Sequence, residues 1–207
     1  MAVMDAQVRY AGFWTRFTAY ALDTLILGIP FVLIIMPIIG AIAFDAEELR
    51  KQMKTEDLHG YYALYKSMIE AGLLCMFAWA AIMALITISK WQATPGKRIM
   101  DIYVIDDKGG KAKFVQCFLR YMALPLLLMT VQTPERYYIY ENLEKLSVNA
   151  TPTQADLEQS FMTPISELVS LASLVIICLW YGLIAMRPQK TAGHDILFNT
   201  RVIYGRP

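Results

Sequence analysis

The chain is poor in the residues that build catalytic and metal centres. It has two histidines, His59 and His194, and three cysteines, Cys75, Cys117 and Cys178. The histidines are far apart and neither HExxH nor CxxC occurs, so neither a metal centre nor a disulfide framework is expected. Each cysteine falls in a different apolar stretch, where it reads as a small packing residue. No Ser/His/Asp spacing is present. Thr94-Pro95-Gly96-Lys97 lacks both the upstream glycine and the following Ser or Thr of a phosphate-binding loop. These absences argue against an enzyme and against a cofactor. Charge is scarce as well: 18% of residues are charged and the formal net charge is +1. That balance points away from nucleic acid and from any strongly acidic or basic partner.

What the sequence has in abundance is apolar residues, 57% of its 207, with a mean hydropathy of +0.40. They are arranged in blocks, and a helix needs about 20 such residues to cross a bilayer core. Four spans are expected, over 15–43, 71–89, 114–133 and 165–186. The expectation is an all-α membrane protein, a single domain over 1–207 in contact with the lipid bilayer. Ala41-Ile42-Ala43 resembles a signal-peptidase site, but the run before it is far longer than a signal core and Asp23 interrupts it. An uncleaved anchor is expected.

Placement of the cations orients the chain. Segments 1–14, 90–113 and 187–207 hold eleven Lys and Arg against five acids, whereas 44–70 and 134–164 hold six against eleven. The cytosolic side carries the Lys/Arg excess. Both termini are therefore expected in the cytosol of a bacterial inner (cytoplasmic) membrane, with two acidic external loops. Ala46–Lys51 has good helix formers, and Tyr137–Leu146 reads as a short helix before a turn at Asn149-Ala150-Thr151-Pro152. On the internal side, Ile102–Ile105 and Thr200–Tyr204 are β-type runs and predict a small strand pair. Trp14 and Trp91 fall at the expected internal interfaces and read as anchors.

An offset of 97 residues superposes Gln92, Thr94, Gly96 and Ile99 on identical residues at Gln189, Thr191, Gly193 and Ile196, and places Asp23 opposite Arg120. This suggests two hairpins of equal topology, each returning to the cytosol through a Thr-x-Gly turn, as parallel repeats do in some transporters.

Ionisable residues inside spans cost about 2.5–3.5 kcal/mol each at the helix centre, so they take partners and often a role. Asp23 and Arg120 are the two clear cases. Asp23 lies about 10 Å beyond Arg16 along the first helix, and Arg120 about 9 Å beyond Phe114 along the third. Equal depth suggests an Asp23–Arg120 ion pair, with Arg16 at the mouth within reach of Asp195 or of the backbone near His194. Such a cluster has two readings, a charged vestibule for an ion or proton and a static pair that orients helices. Pro30 removes a hydrogen bond to the Ile26 carbonyl and predicts a kink close to Asp23.

At this point the residues resemble a known family, the RDD membrane proteins, named for one arginine and two aspartates. Arg16 and Asp23 within Gly12–Asp23 match its first helix. Thr94-Pro95-Gly96-Lys97-Arg98-Ile99-Met100, then Val104, Gly109-Gly110 and Arg120, look like its middle motif. His194-Asp195 followed by Thr200–Ile203 looks like its end, with Asp195 as the second aspartate. Two departures stand out: Asp101 where a glycine is common, and a long 134–164 segment. The resemblance implies a bacterial membrane protein suspected of transport, linked in some members to cation/proton exchange.

The expected function is therefore a small transporter or cation/proton exchanger of monovalent cations, acting as a homo-oligomer. Its ion pathway would use Arg16, Asp23, Arg120 and Asp195, supported by Pro30, Thr94, Gly96, Lys97 and His194, with no metal. The alternative is a non-catalytic accessory or assembly subunit of a membrane complex.

Overall fold

A computed structural model describes residues 9–43, 58–147 and 165–205. The Ala46–Lys51 helix and the Asn149–Pro152 turn expected above lie outside these residues. In chain order the elements are α1 (Phe13–Asp23), two π-helical stretches at Thr24–Gly28 and Phe31–Ile35, α2 (Met36–Ala43), α3 (Leu58–Ile88), α4 (Pro95–Ile99), β1 (Ile102–Asp106), α5 (Phe114–Ser147), α6 (Ser166–Met186), α7 (Gly193–Leu197) and β2 (Thr200–Tyr204). Four helical segments among the described residues are long and apolar enough to cross a membrane: Phe13–Ala41, Lys66–Ile88, Phe114–Ile139 and Ser166–Met186.

The disturbance expected at Pro30 takes the form of two wide turns, one on either side of it. Proline offers no N–H to the Ile26 carbonyl and its ring crowds that oxygen, and opening the turns accommodates both. Two helices also run past the boundaries drawn from hydropathy. α3 begins at Leu58 rather than near residue 71, and α5 continues through Pro134 to Ser147, where a loop and a separate short helix were expected. The polar residues there are spaced to extend a helix rather than end it. Lys66 pairs with Glu70 at 4.0 Å and Lys145 with Glu141 at 2.6 Å, each one helical turn apart.

The chain divides into two compact units, one formed by Met1–Ile34, Met76–Pro125 and Ile176–Pro207, the other by Ile35–Cys75 and Leu126–Val175. The second contains the extended helix ends just described. Every candidate site residue belongs to the first.

In that first unit β1 and β2 pair antiparallel, in register from Ile102↔Tyr204 to Asp106↔Thr200. The strand pair expected from sequence is present, and the N-terminal segment adds to its edge. The Ala11 N–H donates to the Val202 carbonyl at 3.0 Å, and the Tyr204 N–H to the Arg9 carbonyl at 2.9 Å. Both strands bury the same pattern of positions, placing Ile102, Val104 and Val202 in a core with Ala11, Ala19, Ala84, Ala112 and Cys117.

Each strand is preceded by a five-residue helix, and the two helix–strand segments share one local fold. Gln92 and Asp101 have φ of 50° and 53°, and Lys190 and Asn199, each 98 residues further on, have 47° and 51°. This structural offset is one residue longer than the one that aligns identical residues. Thr94 directly precedes α4, whereas Thr191 stands one residue before Ala192, which precedes α7. The left-handed φ of Asp101 accounts for its standing where glycine is common. Glycine takes that conformation without strain, and Asp and Asn are the next most tolerant residues.

Candidate functional site

The site begins with α1, which carries two charges seven residues apart and delivers each to a different short helix. Asp23, 1% exposed, faces the N-terminus of α4. Its Oδ2 accepts from the Thr94 hydroxyl at 2.5 Å and its Oδ1 from the Gly96 N–H at 2.7 Å. A carboxylate from one helix thus satisfies donors at the start of another, where unpaired N–H groups favour negative charge. Gly96 makes the approach possible: a Cβ there would overlap the Ala19 carbonyl oxygen and lie 2.7 Å from the Asp23 nitrogen. The Lys97 Nζ stands 3.9 Å from Asp23 Oδ2 and donates to the Thr94 and Tyr121 hydroxyls at 3.2 and 3.0 Å.

Arg16 and Arg120 converge instead on Asp195, which is also 1% exposed. Arg16 donates through Nη1 to Asp195 Oδ2, through Nη2 to the Lys190 carbonyl at 2.6 Å and through Nε to the Ala11 carbonyl at 2.9 Å. Arg120 Nη1 lies 2.7 Å from Asp195 Oδ1 and 3.0 Å from the Thr200 hydroxyl, which itself donates to Oδ1 at 3.3 Å. The Ala192 N–H completes the set at 3.0 Å from Oδ2, closing the first turn of α7. Burial alone raises the pKa of the Asp195 carboxyl. Arg120, Arg16 and the Ala192 N–H outweigh it and hold the group well below the usual carboxylate range.

The Asp23–Arg120 pair expected from equal depth is therefore not formed. The depth argument treated the spans as one another's only neighbours. Two short helices supply closer partners, α4 offering donors to Asp23 and α7 offering a carboxylate to Arg120. The sequence offset that places Asp23 opposite Arg120 nevertheless keeps a meaning. An acid on the first span meets the helix bearing Lys97, and a base on the third meets the helix bearing Asp195. The same inversion leaves the Thr191 hydroxyl, counterpart of the one that serves Asp23, buried and without a hydrogen-bond partner among the described residues.

His194 lies behind this cluster. Its Nδ1 accepts from the Trp180 indole N–H at 3.0 Å, and its Nε2 is 3.5 Å from Asp195 Oδ1. Burial pushes its pKa down to about 3; Asp195 opposes that, while Arg120, Arg16 and Lys97 add to it. The imidazole is neutral at physiological pH. The cluster then holds three cations, Arg16, Arg120 and Lys97, against two carboxylates. Pro30 touches none of these groups in any contact described here, and its effect is confined to the helix geometry above.

Four participants were not singled out as site residues from the sequence, although Thr200 stands in a β-type run and in the family's end motif. Tyr121 links Lys97 to the Thr87 hydroxyl at 2.9 Å, and Thr87 also donates to the Met83 carbonyl at 2.7 Å. Thr200 and Trp180 hold Arg120 and His194. Each is a neutral polar residue in a strand or an apolar helix, a setting in which spacing alone does not separate it from packing. Among the described residues no three His, Cys, Asp or Glu side chains come together to hold a metal ion.

Comparison with known proteins identifies the family. The family model described as "RDD family" matches residues 10–199. The chain is also similar to "Uncharacterized protein YxaI" of Bacillus subtilis (strain 168), 30% identical over 115 residues, which cover 55% of this chain and 74% of that protein. No solved structure matches. The match spans nearly the whole chain: this protein belongs to the RDD family.

Proposed function

We propose that this membrane protein is a small carrier that exchanges a monovalent cation for a proton at Asp23, with Lys97 as the group that gives way. The observation that carries this reading is the position of the Lys97 ammonium. It stands 3.9 Å from the Asp23 carboxylate, beyond hydrogen-bond distance, and is steadied by two neutral hydroxyls. It acts as a resident cation. The cluster already has one positive charge more than it has negative ones, so a second cation enters only if Lys97 swings away or gives up its proton. Loss of the proton makes entry electroneutral and couples cation to proton. The Arg16–Asp195–Arg120 network has no such slack and serves as the fixed frame.

The same reading places the chain in a bacterial inner membrane with both termini cytosolic. In support, the three segments that together hold eleven Lys and Arg against five acids each contribute to one small sheet, through residues 9–11, β1 and β2. The two helix–strand segments of shared local fold support two parallel hairpins. Four spans are few to enclose a pathway, which favours a homo-oligomer. No step requires an enzyme's nucleophile or a cofactor.

A second reading is favoured by the near-complete burial of Asp23 with both oxygens hydrogen-bonded. In it the cluster only clasps the helices, and the protein is an accessory subunit of a membrane assembly. Proteoliposomes containing a pH-sensitive dye separate the two. Exchange predicts proton movement on adding a monovalent cation, reduced at least about tenfold in Asp23→Asn at equal protein content. Flux equal in wild type and Asp23→Asn overturns the mechanism. Absence of flux for every cation tried, with a protein partner cross-linked to 134–164, establishes the accessory role.

A further inference from the structure

At the end of α3 the surface changes character within six residues. Leu85 and Ile86 belong to the span, whereas Ser89, Lys90 and Trp91 follow its last turn. Together they line an open depression of about 450 Å³. Its floor is apolar and continuous with the lipid-facing side of the helix, where Leu85 is 57% exposed. Ser89 and Lys90 are its polar lining residues. Arg98 is not among the lining residues but adjoins one of them, its guanidinium lying over the Trp91 ring, 4.7 Å from the centroid. The Ser89 hydroxyl oxygen accepts the Trp91 N–H at 3.1 Å, which fixes the turn that presents the indole.

We infer that this depression seats the headgroup and upper acyl chain of one anionic phospholipid. A chain lying along Leu85 and Ile86 places its phosphate at the level of Ser89, Lys90 and Arg98. An indole at that depth is the usual marker of the boundary between hydrocarbon and headgroup. Basic side chains beside a span recognise an anionic headgroup by charge. The Trp91 ring holds the Arg98 guanidinium next to the depression, where it adds a second cation within reach of a phosphate. A zwitterionic lipid offers the same chain but carries a compensating ammonium, and gains less from two cations. None of these groups belongs to the Asp23 or Asp195 clusters, so the inference stands independently of ion exchange.

Native mass spectrometry of the full-length protein in mild detergent, titrated with phosphatidylglycerol or phosphatidylcholine, tests it. The expected result is preferential retention of phosphatidylglycerol, lost in Lys90→Gln/Arg98→Gln by roughly fivefold per cation removed. Both side chains are exposed but not without contacts, so the melting temperature of the variant is recorded beside that of the wild type, and retention is compared only if the two agree within about 2 °C. Lys108→Gln/Lys111→Gln removes two exposed cations from the same side away from the depression and should retain the lipid unchanged. Equal retention of the two lipids by the wild type overturns the inference. So does an equal loss in the Lys108/Lys111 variant, which would mean diffuse surface charge instead of a site.

Discussion

Arg120 reaches Asp195 at 2.7 Å, and Asp23 is left to α4. This separates two carboxylates that look alike in sequence. Removing one partner of a buried ion pair leaves a charge without compensation, typically at about 3–5 kcal/mol. Arg120→Met and Asp195→Asn should each destabilise strongly, and the double variant should lose less than their sum. A double-mutant cycle read by unfolding in detergent should give a coupling of about 1–3 kcal/mol for Arg120 with Asp195. For Arg120 with Asp23 it should be within about 0.5 kcal/mol of zero. A large coupling in the second cycle would contradict the partner assignment.

Gly96 should tolerate no side chain. The two nearest atoms a methyl group would meet are backbone atoms of Ala19 and Asp23, which cannot step aside without moving α1, and the third is the Asp23 Oδ1 that accepts the Gly96 N–H. Gly96→Ala should cost at least about 1–3 kcal/mol, the range for overpacking. Gly182 has nothing within 4 Å of the same test position, so Gly182→Ala should be neutral or slightly stabilising. Equal melting temperatures for the two variants would show that α4 does not press on α1.

Loss of the Tyr121 hydroxyl removes a bond to Lys97 and one to Thr87 while keeping the ring that the ammonium overlies at 5.1 Å. Tyr121→Phe should therefore fold, with a cost of about 1 kcal/mol. If Lys97 is the mobile cation, the variant should also change the cation concentration for half-maximal exchange, whereas Thr130→Val, nine residues further along α5 and in the other compact unit, should not.

His194 predicts a pH dependence whose sign is fixed. In the unfolded chain it takes a proton near its ordinary pKa of 6.5, and in the folded chain only near about 3. Between those values the unfolded state holds more protons, so stability falls as pH drops below about 6.5 and is unaffected by this group above it. The slope is at most about 1.4 kcal/mol per pH unit. Asp195 acts only below its ordinary 3.8, outside a comparison of pH 5 with pH 7.5. His194→Asn keeps an acceptor for the Trp180 N–H and cannot be protonated. It should flatten the fall in melting temperature between those two pH values; an unchanged fall would place the proton elsewhere.

Hydropathy exposed the four spans because a bilayer demands long apolar stretches, and β-branched runs exposed the strand pair. The helix ends were hidden for the converse reason: Lys66, Glu70, Glu141 and Lys145 look like loop chemistry, yet one-turn spacing makes them helix surface. Asp23 and Arg120 were visible because charge in a span is conspicuous, whereas Asp195, outside the spans, was singled out as a possible partner of Arg16 and by the family resemblance. Their partners were not. A backbone N–H such as that of Gly96 or Ala192 has no letter in the sequence, and α4 and α7 are too short for periodicity to reveal. Gly96 and Gly193 did leave a trace, in the repeated Thr-x-Gly. Its cause is close approach, to α1 in one case and to the Trp180 ring in the other.

The bond between Arg16 and Asp195 joins residues 179 apart. During biosynthesis the first span enters the membrane with a cation whose acid has not been made, and Arg120 arrives in the same condition. Neither is neutralised until the ribosome has delivered α7, and the sheet closes only when β2 follows. A nascent chain stopped before residue 195 lacks the one carboxylate that both Arg16 and Arg120 reach, so the clasp between the first and third spans and α7 is the last part of this network to form.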